Sequence, residues 1–292
     1  ASPEAMTPPD GDFLVVYDGE PQAQLVDLAG EHAPQAVGDE AVGYATAAAF
    51  GGDDLLLVST DKGKLSAWNI TAGTAATPRW TQAAHTARIN DIAVLRRQGR
   101  AATTGDDGSV RIWNLQDGTL LAALSPVTPT LLTDVAFRPD GAAVAAVGPD
   151  GLVHLWDVAS GTELPSLVSG APPVQAQQAQ AGAGPANFTS LAFSVDGSRL
   201  AASRDDGSIS IWDLNKGTTV STPPTGRPVS ALAFDRRHVI AAHDDGTISL
   251  WYVDSLDTPP VQLAGHKGRI NDLVVEEDGT HLLSAGDDGA IQ

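Results

Sequence analysis

The 292-residue chain has no cysteine, which excludes disulfides, thiolate metal sites and cysteine nucleophiles. It has no apolar run approaching the ~18 residues of a helical membrane span, so insertion into a bilayer is not expected. Cations are scarce: 17 Lys and Arg stand against 36 Asp and Glu, a formal charge of −19 at neutral pH. Phosphate binding needs concentrated positive charge, and with no basic cluster the chain is not expected to bind nucleic acid or an anionic membrane. The sequence begins at Ala1, without an initiator methionine or an apolar signal segment at its start. The expectation is a removed signal segment or a piece of something longer, with an exported or periplasmic location favoured over a cytoplasmic one.

Tryptophan is also rare, and the few present are ordered. Of the six, Trp68, Trp113, Trp156, Trp212 and Trp251 each follow a turn glycine by five residues: Gly63, Gly108, Gly151, Gly207 and Gly246. The fullest copy reads Gly105-Asp106-Asp107-Gly108-Ser109-Val110-Arg111-Ile112-Trp113-Asn114, a tight Asp-Gly turn feeding a short alternating strand. The tryptophans are spaced 45, 43, 56 and 39 residues apart, close to the ~40–45-residue period of propeller blades in three of four cases.

Each unit has the same grammar. A first strand ends in an apolar triplet, as in Ile92-Ala93-Val94, Val135-Ala136-Phe137, Leu191-Ala192-Phe193, Leu232-Ala233-Phe234 and Leu273-Val274-Val275. Turns of Asp-Gly type follow at Asp140-Gly141, Asp196-Gly197 and Asp278-Gly279. Second strands such as Ala143–Val147 are apolar throughout, as strands buried on both faces should be. Residues 1–11 read as a loose arm or edge strand, and 12–28 as a degenerate copy with Val26 in the tryptophan's place. A further strand of that copy is expected near Gln35-Ala36-Val37. Residues 169–187 contain the low-complexity Gln/Ala/Gly/Pro segment, read as a surface loop. The last unit starts at His266 and reaches residue 292 in mid-hairpin, so the polypeptide is expected to continue.

At these residues the chain resembles the WD-repeat β-propeller family: Ala84-His85 or Gly265-His266, an apolar strand, an Asp-Gly turn, then Trp-Asp or Trp-Asn. The resemblance covers nearly all of residues 12–292. It implies an all-β fold of seven blades of four antiparallel strands, with six blades as the alternative if residues 12–28 only close the ring. It also implies a hydrogen-bonded His–Ser/Thr–Asp–Trp network, here His85, Thr103, Asp107 and Trp113, and in the last unit His266, Ser284 and Asp288. Where the histidine is missing, the hydroxyl position is Ala146, Ala202 or Ala241, as expected if half a buried polar network costs more than none. These histidines are therefore read as structural.

No constellation for catalysis stands out. His154 is expected to pack beside Trp156, His243 and His281 sit singly, His32 and His238 read as loop residues, and Trp80 as edge packing. The Asp-rich turns lack the alternating oxygen ligands of a calcium loop. No cofactor is expected, and the chain is read as a non-enzymatic scaffold for other proteins. The alternative is a sensor or ligand-binding module attached to a catalytic or redox domain beyond residue 292. In the family the residue before the turn aspartate tends to line the docking rim. Here those residues are Asp61, Asp106, Pro149, Asp205, Asp244 and Asp287, with Arg88 and Arg269 nearby. The expectation is an acidic rim that takes a basic segment of a partner.

Overall fold

Each Asp-Gly or Lys-Gly pair of the repeat closes a hairpin between the second and third strands of a sheet. The glycines Gly63, Gly108, Gly151, Gly207 and Gly246 all sit at φ between 71 and 80°, a conformation that a side chain disfavours. The strands on either side then pair in register, as in Thr103 opposite Arg111 and Ala146 opposite His154. A computed structural model describes residues 4–6, 13–17, 22–27, 33–38, 43–71, 74–168, 187–275 and 281–292.

Among these residues seven antiparallel sheets follow one another along the chain. Blade 1 holds β1 (Glu4–Met6), β2 (Phe13–Tyr17), β3 (Ala23–Asp27) and β4 (Gln35–Val37). Blade 2 holds β5 (Ala45–Gly52), β6 (Leu55–Thr60), β7 (Lys64–Thr71) and β8 (Thr74–Ala83). Blade 3 holds β9 (Ile89–Leu95), β10 (Arg100–Gly105), β11 (Val110–Asn114) and β12 (Leu120–Leu124). Blade 4 holds β13 (Asp134–Phe137), β14 (Ala143–Val147), β15 (Val153–Asp157) and β16 (Glu163–Leu167). Blade 5 holds β17 (Phe188–Phe193), β18 (Arg199–Arg204), β19 (Ile209–Asp213) and β20 (Thr218–Ser221). Blade 6 holds β21 (Val229–Phe234), β22 (His238–His243), β23 (Thr247–Tyr252) and β24 (Val261–Ala264). Blade 7 holds β25 (Ile270–Val275) and β26 (Leu282–Gly286), and Ile291 bridges back to Ala285 as the start of a third strand.

The first strands of the blades neighbour one another around a central axis, and β1 touches both β25 and β5, which closes the ring. Residues 4–6, placed by the sequence in the arm at 1–11, thus form the inner strand of blade 1. The segment 35–37 is its outermost strand, and the blade has four strands of its own, so the six-blade alternative does not describe this molecule. The low-complexity segment 169–187 lies, apart from Asn187, outside the described residues, as does His32.

The core lies between blades rather than within them. Trp156 of blade 4 packs on Leu95, Ile112 and Leu124 of blade 3, and Trp251 of blade 6 packs on Ile209 and Ile211 of blade 5. Each second strand is therefore covered on both faces, which is why Ala143–Val147 is apolar and buried throughout. Outer strands lose this cover: every residue of β24 is exposed. Trp80, on the outer strand β8, reaches across to blade 3, where its N–H donates to the Leu115 carbonyl at 3.0 Å. A Cβ on Gly118 would come within 2.7 Å of the Trp80 ring, so the turn there must be glycine.

Candidate protein-binding rim

Alternating strand direction brings the loop entering each blade and the turn between its second and third strands to the same face. On that face blade 3 carries a continuous chain of hydrogen bonds. The Trp113 indole N–H donates to Thr103 Oγ1 (3.0 Å), whose hydroxyl donates to His85 Nε2 (2.8 Å). His85 Nδ1–H then donates to Asp107 Oδ1 (2.9 Å), which also accepts from Ser109. Burial pushes the His85 pKa down, consistent with a neutral ring. Burial works against the Asp107 charge, but hydrogen bonds from His85, Ser109 and the Thr86 N–H hold its carboxyl well below the usual carboxylate range.

Blade 7 repeats the arrangement, with His266 bonded to Ser284 (2.8 Å) and Asp288 (2.9 Å). The hydrogen bond from His266, seconded by the Lys267 N–H, lowers the Asp288 pKa to about 2. In both blades the residue two before the turn aspartate is glycine. A Cβ on Gly105 would sit 3.0 Å from His85 Nδ1, and one on Gly286 2.6 Å from His266 Nδ1. Blades without the loop histidine carry Thr60, Gly148, Arg204 and His243 at that position.

The outward-facing residues next to these turns are the candidate rim. Asp106 is exposed and is held by Asn90, whose Nδ2 donates to Asp106 Oδ1 (2.8 Å) and to the Leu132 carbonyl of the next blade (2.9 Å). Asn271 holds Asp287 in the same way (2.8 Å). Asp205 and Pro149 are exposed. Asp244 pairs with Arg269 of blade 7 at 3.3 Å, so this arginine stitches two blades. Asp61 accepts the Tyr44 N–H (2.8 Å) and is only half-exposed, which turns its carboxylate toward the backbone. Arg88 is exposed, and its carbonyl accepts the Asp106 N–H (2.9 Å). Of the rim acids, Asp106 and Asp205 thus face solvent without an arginine beside them among the described residues.

The sequence reading missed three groups. Asn90 and Asn271 are the first, and their signal was present: an Asn 16 residues before each rim aspartate, in just the two blades that keep the histidine. The second is a set of aspartates on the inner strands, Asp91, Asp134 and Asp272, each placed directly before the apolar triplet of its blade. Asp91 accepts the Val135 N–H of blade 4 (3.0 Å), and Asp134 accepts the Leu191 N–H of blade 5 (2.8 Å). Burial raises the pKa of all three, Asp272 to about 6. The third is the pair of remaining buried histidines. His154 does stack on Trp156 (5.8 Å), but both its nitrogens also bind carboxylates, Asp150 at 2.9 Å and Glu163 at 2.8 Å. His243 does not sit singly: its Nε2 bonds Ser249 at 2.8 Å. His238, read as a loop residue, opens β22 and pairs with Asp235 (2.8 Å).

Residues 91–292 match the family model described as "Nucleolar protein 10-like, N-terminal domain", a β-propeller. The chain belongs to this family. In the nucleolar protein 10-like propeller the matched span begins in the first strand of blade 3 and takes in blades 4 to 7. Comparison with curated proteins gives no match. Among the described residues no group of three or more His, Asp or Glu side chains is set to hold a metal ion. Among the described residues no helix is long and apolar enough to cross a membrane.

Proposed function

We propose that this propeller is a non-catalytic docking platform whose acidic rim receives an Arg- or Lys-bearing segment of a partner protein. The observation that carries the reading is the fixed outward presentation of Asp106 and Asp287, each oriented by an asparagine from its own inner strand. Carboxylates held in place before binding lose less side-chain freedom when a guanidinium arrives, and a bidentate Arg–carboxylate pair is among the stronger charge-assisted contacts. The formal charge of −19 adds long-range attraction for a basic partner.

The test is charge reversal of Asp106, Asp205 and Asp244 to Lys, read in two ways. Partners retained from extracts of the source are identified by mass spectrometry, and a dye-labelled Arg/Lys-rich peptide is titrated by fluorescence anisotropy. The expected result is at least a tenfold loss of peptide affinity and a steep fall of wild-type binding with salt. Unchanged partner retention and peptide affinity in the triple variant would remove the acidic rim from the mechanism.

A further inference from the structure

Blade 6 departs from the repeat in a way that leaves a space. By strand register Thr225 stands where blade 3 has His85, and Ala241 where it has Thr103. The Thr225 hydroxyl donates instead to the Gly207 carbonyl (3.2 Å). The imidazole comes from the other side, because His243 occupies the position of Gly105. A relay holds it there: Gln262 Nε2 donates to Ser249 Oγ (2.8 Å), and the Ser249 hydroxyl donates to His243 Nε2 (2.8 Å). Ala241 offers no acceptor, so the Trp251 indole N–H, whose counterpart in Trp113 is bonded, has no hydrogen-bond partner among the described residues.

Beside this tryptophan lies a cavity of about 570 Å³. That is within the roughly 300–1,000 Å³ range of small-molecule sites. Pro223, Leu256, Pro259 and Pro260 form apolar walls with the Trp251 ring. Most polar side chains of the lining are already engaged. Thr222 accepts the Ile209 N–H (2.9 Å), Thr258 donates to the Ser255 carbonyl (2.7 Å), and Arg227 pairs with Asp245 (3.5 Å). Besides the fully buried His243 Nδ1, the donor of Trp251 and the amide oxygen of Gln262 are left without a protein partner among the described residues. One donor and one acceptor beside flat apolar walls match a planar ring carrying an amide, whose carbonyl accepts from the indole and whose N–H donates to the glutamine.

We propose that the blade 6 cavity is a binding site for a small aromatic carboxamide. The site is separate from the acidic rim and stands or falls without it. Benzamide is the probe, followed by the indole N–H resonances of the six tryptophans in ¹H–¹⁵N spectra of the whole chain. The Trp251 resonance is assigned by its loss in Trp251→Phe. It is expected to move saturably with a Kd on the order of 1 mM, and toluene, the same ring without the amide, is expected to bind about tenfold more weakly or worse. A Trp251 resonance that does not saturate by about 10 mM benzamide, or that toluene shifts equally, overturns the proposal. Should Trp251→Phe fail to fold, Thr258→Trp fills the mouth of the cavity from an exposed loop. It is expected to abolish the titration, and undiminished benzamide binding in that variant overturns the proposal as well.

Discussion

Thr103 determines the direction of every proton in the blade 3 chain. It is fully buried and is the sole acceptor for the Trp113 N–H and the donor to His85 Nε2. Valine has nearly the same shape and neither function. Thr103→Val is expected to strand one donor and one acceptor in the core and lower stability by about 2–3 kcal/mol, measured by urea denaturation. A loss below about 0.5 kcal/mol would show that the chain carries no net stabilisation. This network was legible because a single chain holds several copies of it. His85 and Thr103 are present together, Thr225 and Ala241 replace them together, and the comparison needs no relative. Gly105 and His243 were not legible in that way. A Cβ at Gly105 would crowd both the Arg88 carbonyl (2.6 Å) and the His85 ring (3.0 Å), a constraint visible only in the folded blade.

At the scale of one blade, blade 4 answers the same structural need with the opposite charge state. Both His154 nitrogens face carboxylates, an arrangement that favours the imidazolium form, in which both donate. Burial alone would lower its pKa, but the hydrogen bonds to Asp150 and Glu163 and their negative charge outweigh that and raise it above 6.5. Glu163 also accepts the Val127 N–H (2.8 Å) from the loop entering blade 4, so the cation joins turn, outer strand and loop. A raised histidine pKa contributes stability that is complete below the unfolded value near 6.5 and is lost as pH rises through the folded value. His154→Gln is therefore expected to cost about 3 kcal/mol at pH 6, and the gap to wild type should narrow by at least half at pH 9. Thermal melts of both proteins across that range check it, and a gap independent of pH would mean that His154 acts through packing alone. The sequence reading took it as packing because Asp150 sits in the turn four residues before it and Glu163 becomes its neighbour only once β15 pairs with β16.

At the scale of the whole molecule the ring is held at its centre by carboxyl groups. The repeat, its period and the inward order of strands were readable from glycine–tryptophan spacing and from the doubly buried second strands. The central aspartates were not, because a single Asp before an apolar triplet looks like the polar end of a strand. Asp91 ties blade 3 to blade 4, and Asp134 ties blade 4 to blade 5, each by accepting a backbone N–H from the next inner strand. The two carboxyls lie within each other's electrostatic reach, so charge on both at once is disfavoured. Burial, then the Asp91 charge, push the Asp134 pKa well above its usual range. Asp272 on β25 adds repulsion with Asp91. A carboxyl whose folded pKa is raised costs nothing below the unfolded value near 3.8. Its cost grows as pH rises toward the folded value, because the unfolded chain ionises freely and the folded one does not. Asparagine removes the charge while its oxygen can still accept from the Leu191 N–H. Asp134→Asn is therefore expected to stabilise the propeller by about 1 kcal/mol or more at pH 8, with the gain vanishing near pH 4. Denaturation at the two pH values decides it, since a variant less stable than wild type at pH 8 would mean that the ring depends on the charge and not on the proton.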